Sequence, residues 1–206
     1  MLNWLQIPLP ELFALLAAIA FAAGLNIYAT VAALGLLAHF GHVPLPPALQ
    51  ILESWPIIAA SGTLFVVEFF ADKIPAFDLL WSALHTFVRV PAAALLAYGA
   101  TRQLTPAQQL LAALLGAAIA LAAHGGKTAA RAAVTPSPEP FSNITLSLVE
   151  DALAVVLTWL ATRHPYAAAT IALCLVAIIV MLARFVIRAL RALFRGAEIE
   201  LSGKKT

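Results

Sequence analysis

Charge is what this chain has least of. Lys, Arg, Asp and Glu make up 11% of its 206 residues, against about 25% in ordinary soluble domains. With 63% hydrophobic residues and a mean hydropathy of +0.95, the deficit excludes an ordinary soluble domain. It indicates a membrane protein folded as a single transmembrane domain over residues 1–206. Cysteine is nearly absent. Cys174 stands alone, which excludes an intrachain disulfide or a thiolate cluster, and within its apolar run it reads as a small buried hydrophobe. No HxxxH or HxxE pair offers metal spacing on one helix, so no metal site is assigned and no cofactor is expected. The basic residues have no aromatics interleaved with them, which argues against nucleic acid. The N-terminus lacks a basic n-region and its apolar run is too long for an h-region, so no cleavable signal peptide is expected.

What is present is a series of apolar runs. Residues 12–38 are uncharged and exceed the roughly 20 residues needed to cross a bilayer, so this first span should tilt, bend or break. Gly24-Leu25-Asn26 is the expected place. A second span starts near Trp55-Pro56 and ends at Glu68-Phe69-Phe70-Ala71-Asp72-Lys73-Ile74-Pro75, where Pro75 stops the helix. A third is expected over Leu79 to Tyr98 with Asp78 as its cap. The polar stretch 74–90 allows it to span, to re-enter or to lie at the interface. Thr105-Pro106-Ala107-Gln108 is a capping box opening a fourth helix. Ser137 to Asn143 reads as a Pro-rich structured loop before a fifth helix over about 143–162, and Pro165 opens the sixth.

The reading is therefore all-α, a polytopic bundle of about six transmembrane helices. Six spans put both termini on one side. The excess of Lys and Arg at the end of the chain, with residues 196–206 as a basic tail, places that side in the cytoplasm of a bacterial inner membrane. Residues 17–24 align with residues 117–124, and Val67-Glu68 with Val149-Glu150. This weak repeat suggests inverted three-helix units, 11–100 and 107–195, with interrupted or re-entrant helices at the centre.

Ionisable groups inside the spans are costly and mark function by default. Glu68 and Asp72 share one helical face, as do His85 and Arg89, and His124, Lys127 and Arg131. Asn143, Ser147, Glu150 and Asp151 lie on one side of the fifth helix. With Lys73 and Asn26, and without Ser147, these residues form the candidate substrate- or ion-binding set, and no catalytic residue is assigned. Its permanent charges cancel, as burial in low dielectric demands. The bland reading makes them ion pairs that fix helices together, with Lys73 snorkelling to the headgroups.

These motifs, together with Gly24-Leu25-Asn26-Ile27-Tyr28, His85-Thr86-Phe87-Val88-Arg89 and His124-Gly125-Gly126-Lys127, resemble those of a bacterial membrane family catalogued as domain of unknown function 4126. The likeness covers about residues 12–165. It implies an integral membrane protein and brings no assigned activity. A looser likeness is to small cation exchangers of the lysine-exporter superfamily. Their acidic motif carries a glycine and is one residue shorter than Glu68-x-x-x-Asp72-Lys73.

The expected function is a small secondary transporter or proton-coupled exchanger for an ion or solute, working in the lipid bilayer. One alternative is a flippase or intramembrane enzyme acting on lipid phosphate, with phosphate held by Arg89, Lys127 and Arg131. Another is a non-transporting scaffold. Enzyme activity is the less favoured class, and homo-oligomerisation is left open.

Overall fold

The computed structural model describes residues 7–72, 75–134 and 140–203. They are mostly helical, with no strand among them. The helices are α1 (Leu9–Leu25), α2 (Ile27–His39), α3 (Trp55–Ala71), α4 (Pro75–Ala100), α5 (Pro106–Val134), α6 (Pro140–Arg163) and α7 (Pro165–Gly203), with a 3-10 turn over Pro47–Glu53 before α3. Proline is the first residue of each of α4 to α7. There its missing N–H leaves no hydrogen bond unmade and its fixed φ suits the helix. The capping box closes as expected. Thr105 N–H donates to Gln108 Oε1 at 3.1 Å, and Gln108 N–H to Thr105 Oγ1 at 3.4 Å.

The first apolar run breaks at Asn26, whose backbone is extended (φ −151°, ψ 104°). Its side-chain oxygen accepts from Ala29 N–H at 2.9 Å and so caps α2. The two halves do not continue as one span. Leu34 returns to Leu15, Leu16 and Ile19 around a shared apolar cavity. Gly35 packs on Leu52 and Ile58, and His39 on Trp55. Helices α1 and α2 are thus the arms of a V with Asn26 at its apex. At 1.5 Å per residue, 17 and 13 residues reach about 25 and 20 Å, short of the roughly 30 Å hydrocarbon core. A Schellman closure ends α2: His42 N–H donates to Leu37 C=O and Gly41 N–H to Ala38 C=O, with Gly41 at φ +68°.

The other helices surround α1. Phe13, Leu16 and Ala17 share a cavity with Ala112, Leu115, Gly116 and Leu173, and Gly24 lies against Ala120 and Ala123. Helix α5 therefore runs beside α1 in the same direction. Helix α4 runs the other way, since Gly116 meets Ala93 and Ala97 while His124 meets Arg89. Helix α6 also opposes α1, with Asp151 at Asn26 and Thr162 near Leu15 and Leu16. Small residues make the close approach possible. Ala18, Ala22 and Ala23 are fully buried, and van der Waals contact between small side chains is what joins helices in lipid.

Among the described residues four helices contain stretches long and apolar enough to cross a membrane: Ala83–Ala100, Pro106–Arg131, Ile144–Arg163 and Pro165–Arg188. The 3-10 turn with α3, bent by 65°, is a fifth candidate. Three local expectations change. Helix α4 begins at Pro75 rather than Leu79, because the proline that stops α3 is well placed to start the next helix. Helix α6 takes in residues 140–143, expected as loop. Cys174 is exposed rather than buried, since α7 is the outermost helix, with 6% of its apolar window covered by the rest of the chain.

Candidate functional site

The apex of the V ends in the middle of the bundle, and the ionisable groups of α3 to α6 gather around it. Glu68 ends the apolar part of α3, and its Oε1 is paired with Arg89 from the middle of α4. Asp72 follows one turn later at the end of α3. Helix α5 presents His124, Lys127 and Arg131 in a stripe, and α6 brings Glu150 and Asp151. All these groups are buried, and Glu68, Asp72 and Arg89 are fully so.

Lys127 is the hub. Its ammonium lies 3.1 Å from Asp72 Oδ2, 3.4 Å from Glu68 Oε1 and 3.4 Å from Glu150 Oε2. It also donates to Leu25 C=O at 3.3 Å, one of the carbonyls left over where α1 ends. Arg131 holds Asp72 Oδ2 at 2.7 Å and Glu150 Oε2 at 2.6 Å through Nη2. Arg89 Nη1 lies 2.9 Å from His124 Nδ1, and His124 Nε2 lies 2.8 Å from Thr86 Oγ1. A guanidinium only donates. His124 Nδ1 must therefore accept in this contact.

Asn26 joins the cluster by donating from Nδ2 to Asp151 Oδ1 at 2.9 Å. Tyr28 and His85 form a side branch, with Oη and Nε2 3.0 Å apart and the rings edge to face. Among the described residues three cations, Arg89, Lys127 and Arg131, pair with three acids, Glu68, Asp72 and Glu150. Asp151 is the fourth acid of the cluster, and the Asn26 amide donates to it. Among the described residues these buried polar atoms have no hydrogen-bond partner: Glu68 Oε2, Asp72 Oδ1, Arg89 Nε, Ser147 Oγ and Asp151 Oδ2.

Of the candidate set, the structure brings Asn26, Glu68, Asp72, Arg89, His124, Lys127, Arg131, Glu150 and Asp151 into one cluster, with His85 beside it. Lys73 and the side chain of Asn143 lie outside the described residues. Sequence reasoning passed over Thr86. Its signal was its place three residues before Arg89, on the same face of α4. The described residues contain no group of three His, Cys, Asp or Glu side chains arranged for a metal ion.

Chemically, the cluster is a set of buried acids and bases that share partners. One ammonium reaches three carboxylates, so a small shift of Lys127 redistributes charge without leaving any group far from a counter-ion.

No curated protein and no solved structure matches the chain. The family model for the domain of unknown function DUF4126 matches residues 13–185. Carrying the Asn26 apex and the Glu68 to Asp151 cluster within that span, the chain belongs to this family of membrane-type helical proteins.

Proposed function

We propose that the protein is a small secondary transporter or exchanger whose substrate or coupling ion engages the cluster at the apex of α1 and α2. One observation carries the reading. Four helices and the tip of a helical V deliver seven permanently ionisable side chains to one buried place, at mid-length of α4 and α6. A purely structural role would need fewer charges, because buried ion pairs are weak stabilisers relative to apolar packing. The apolar mass of α1 from Leu12 to Leu25 lies between the cluster and the end of the bundle where α4 meets α5, as a closed gate would. Helix ends and unwound backbone at mid-membrane are how transporters hold ions.

The proposed topology has five crossings, α3 to α7, and a re-entrant V in place of a sixth span. Leu15 and Leu16 share a cavity with Ala100 and Thr162, so α1 starts at the end where α4 meets α5 and α6 meets α7. Helix α7 finishes at the other end, which its Arg184, Arg188 and Arg191 mark as cytoplasmic. The two aligned stretches lie on α1 and α5, which run in the same direction. In the proposed topology a re-entrant V stands in place of the first of the inverted three-helix units. The lipid-phosphate alternative has less behind it, because Arg89, Lys127 and Arg131 already hold carboxylates.

The test is flux. Proteoliposomes loaded with a pH dye and given gradients of Na⁺, K⁺, divalent cations or amino acids should report coupled proton or ion movement. Glu150→Gln should abolish it while the protein stays inserted and monodisperse. Absence of movement under every gradient overturns the reading.

A further inference from the structure

Ser147 and Asp151 stand one turn apart on α6, so their side chains share a face. Both residues are buried, and both Ser147 Oγ and Asp151 Oδ2 lack a partner. That is unusual for a hydroxyl in an apolar helix, which normally bonds back to the carbonyl one turn earlier. Thr30, Ser61, Thr101 and Thr158 all do so here, at 2.7 to 2.9 Å. Ser147 does not. Across from it, Asn26 fixes Asp151 by taking Oδ1 at 2.9 Å, which leaves Oδ2 as the carboxylate's unused oxygen. A buried polar atom without a partner is destabilising, and here there are two on one helical face.

Charge decides what belongs with them. Among the described residues the three acids Glu68, Asp72 and Glu150 are balanced by Arg89, Lys127 and Arg131. The Asp151 carboxylate stands outside those pairs, with the Asn26 amide on its Oδ1, so the ligand at this place faces a single carboxylate. A divalent ion would leave a surplus positive charge in a low-dielectric interior. A proton on Asp151 would satisfy the carboxylate and leave Ser147 Oγ bare, because the two oxygens are not hydrogen-bonded to one another. A single particle that is positive, monovalent and oxygen-seeking satisfies both. Hard cations take carboxylate and neutral oxygen ligands of this kind.

We propose that Ser147 Oγ and Asp151 Oδ2, held by Asn26 at the apex of the V, form a site for a small monovalent cation of the sodium class. The role of this site as a coupling-ion seat rests on the transport reading, but its occupancy does not. The test is equilibrium binding of radioactive sodium to the purified full-length protein in detergent at mildly alkaline pH. The wild type should bind saturably, one sodium per chain, with competition by lithium and none by choline. Asp151→Asn should bind none. Ser147→Ala, a smaller change that leaves the helix intact, should bind about tenfold more weakly. Thr158→Ala, two turns away, should bind as the wild type does.

Folding of each variant is checked by elution profile and thermal unfolding. Folded wild type that takes up no saturable sodium overturns the site. So does Ser147→Ala binding as tightly as wild type, or stability that follows pH and ignores sodium. Sodium binding without any flux would remove the transporter reading and leave the site standing. Proton-driven flux without sodium binding would do the reverse.

Discussion

At the scale of residues, the cluster is a network in which each charge depends on its neighbours. Arg89 is fully buried, paired with Glu68 and in contact with His124. Removing one member of a buried pair leaves an uncompensated charge, whereas removing both can be nearly neutral. Arg89→Gln should therefore destabilise the protein by about 3–5 kcal/mol. The double change Glu68→Gln/Arg89→Gln should recover much of that loss, and unfolding in detergent would measure both. Equal destabilisation by the single and double variants would mean that the Glu68–Arg89 pair is not the dominant contact. The acidic and basic stripes on each helix were legible in the sequence because i, i+3 and i+4 spacing is local. Which stripe meets which was not. The Asn26–Asp151 bond joins residues 125 positions apart, and Lys127 reaches Asp72 across 55.

At the scale of elements, two glycines separate packing from propensity. A Cβ on Gly24 would lie 2.5 Å from Ala120 C=O and 2.7 Å from Ala123 Cβ, both rigid parts of α5. Gly24→Ala should push α1 from α5, lower the unfolding temperature and disturb the contact of Lys127 with Leu25. Gly125, on the same stretch of α5, has nothing within 4 Å of its built Cβ. Gly125→Ala should be neutral or stabilising by up to about 1 kcal/mol through helix propensity alone. A thermal melt of the two variants side by side checks both signs. Asn26 is the other decisive position. Asn26→Ser keeps a cap for α2 but loses the amide to Asp151, while Asn26→Asp keeps the cap and sets a carboxylate against Asp151. The aspartate variant should be the less stable of the two at alkaline pH, and the difference should shrink as acid neutralises the pair. That the first run breaks here could be read from Gly24-Leu25-Asn26. That its second arm turns back could not, because a cap ends one helix without setting the direction of the next.

At the scale of the whole molecule, the five-crossing arrangement makes a topological prediction that differs from a six-span bundle. In a Cys174→Ser background, single cysteines at Leu9, Gly41 and Arg102 should react with an impermeant reagent from one face of the membrane, and one at Arg191 from the other. Labelling of Leu9 and Arg191 from the same face would restore six crossings and discard the re-entrant V. The membrane class itself was plain in the sequence, because hydropathy adds up residue by residue along the chain. The starts at Pro106 and Pro165, the capping box and the break at Asn26 are equally local and were equally plain, whereas Pro75 and Pro140 read as a stop and a loop because a proline ends one helix as readily as it opens the next. The tertiary structure alone decided that the first two helices form a V, that its apex enters the charged cluster, and that Asp151 takes the amide of Asn26. The reason is that pairing in a bundle follows helix direction and crossing, and these are set by the close contacts of small residues such as Gly24 with Ala120 and Ala123, which no single stretch of sequence contains.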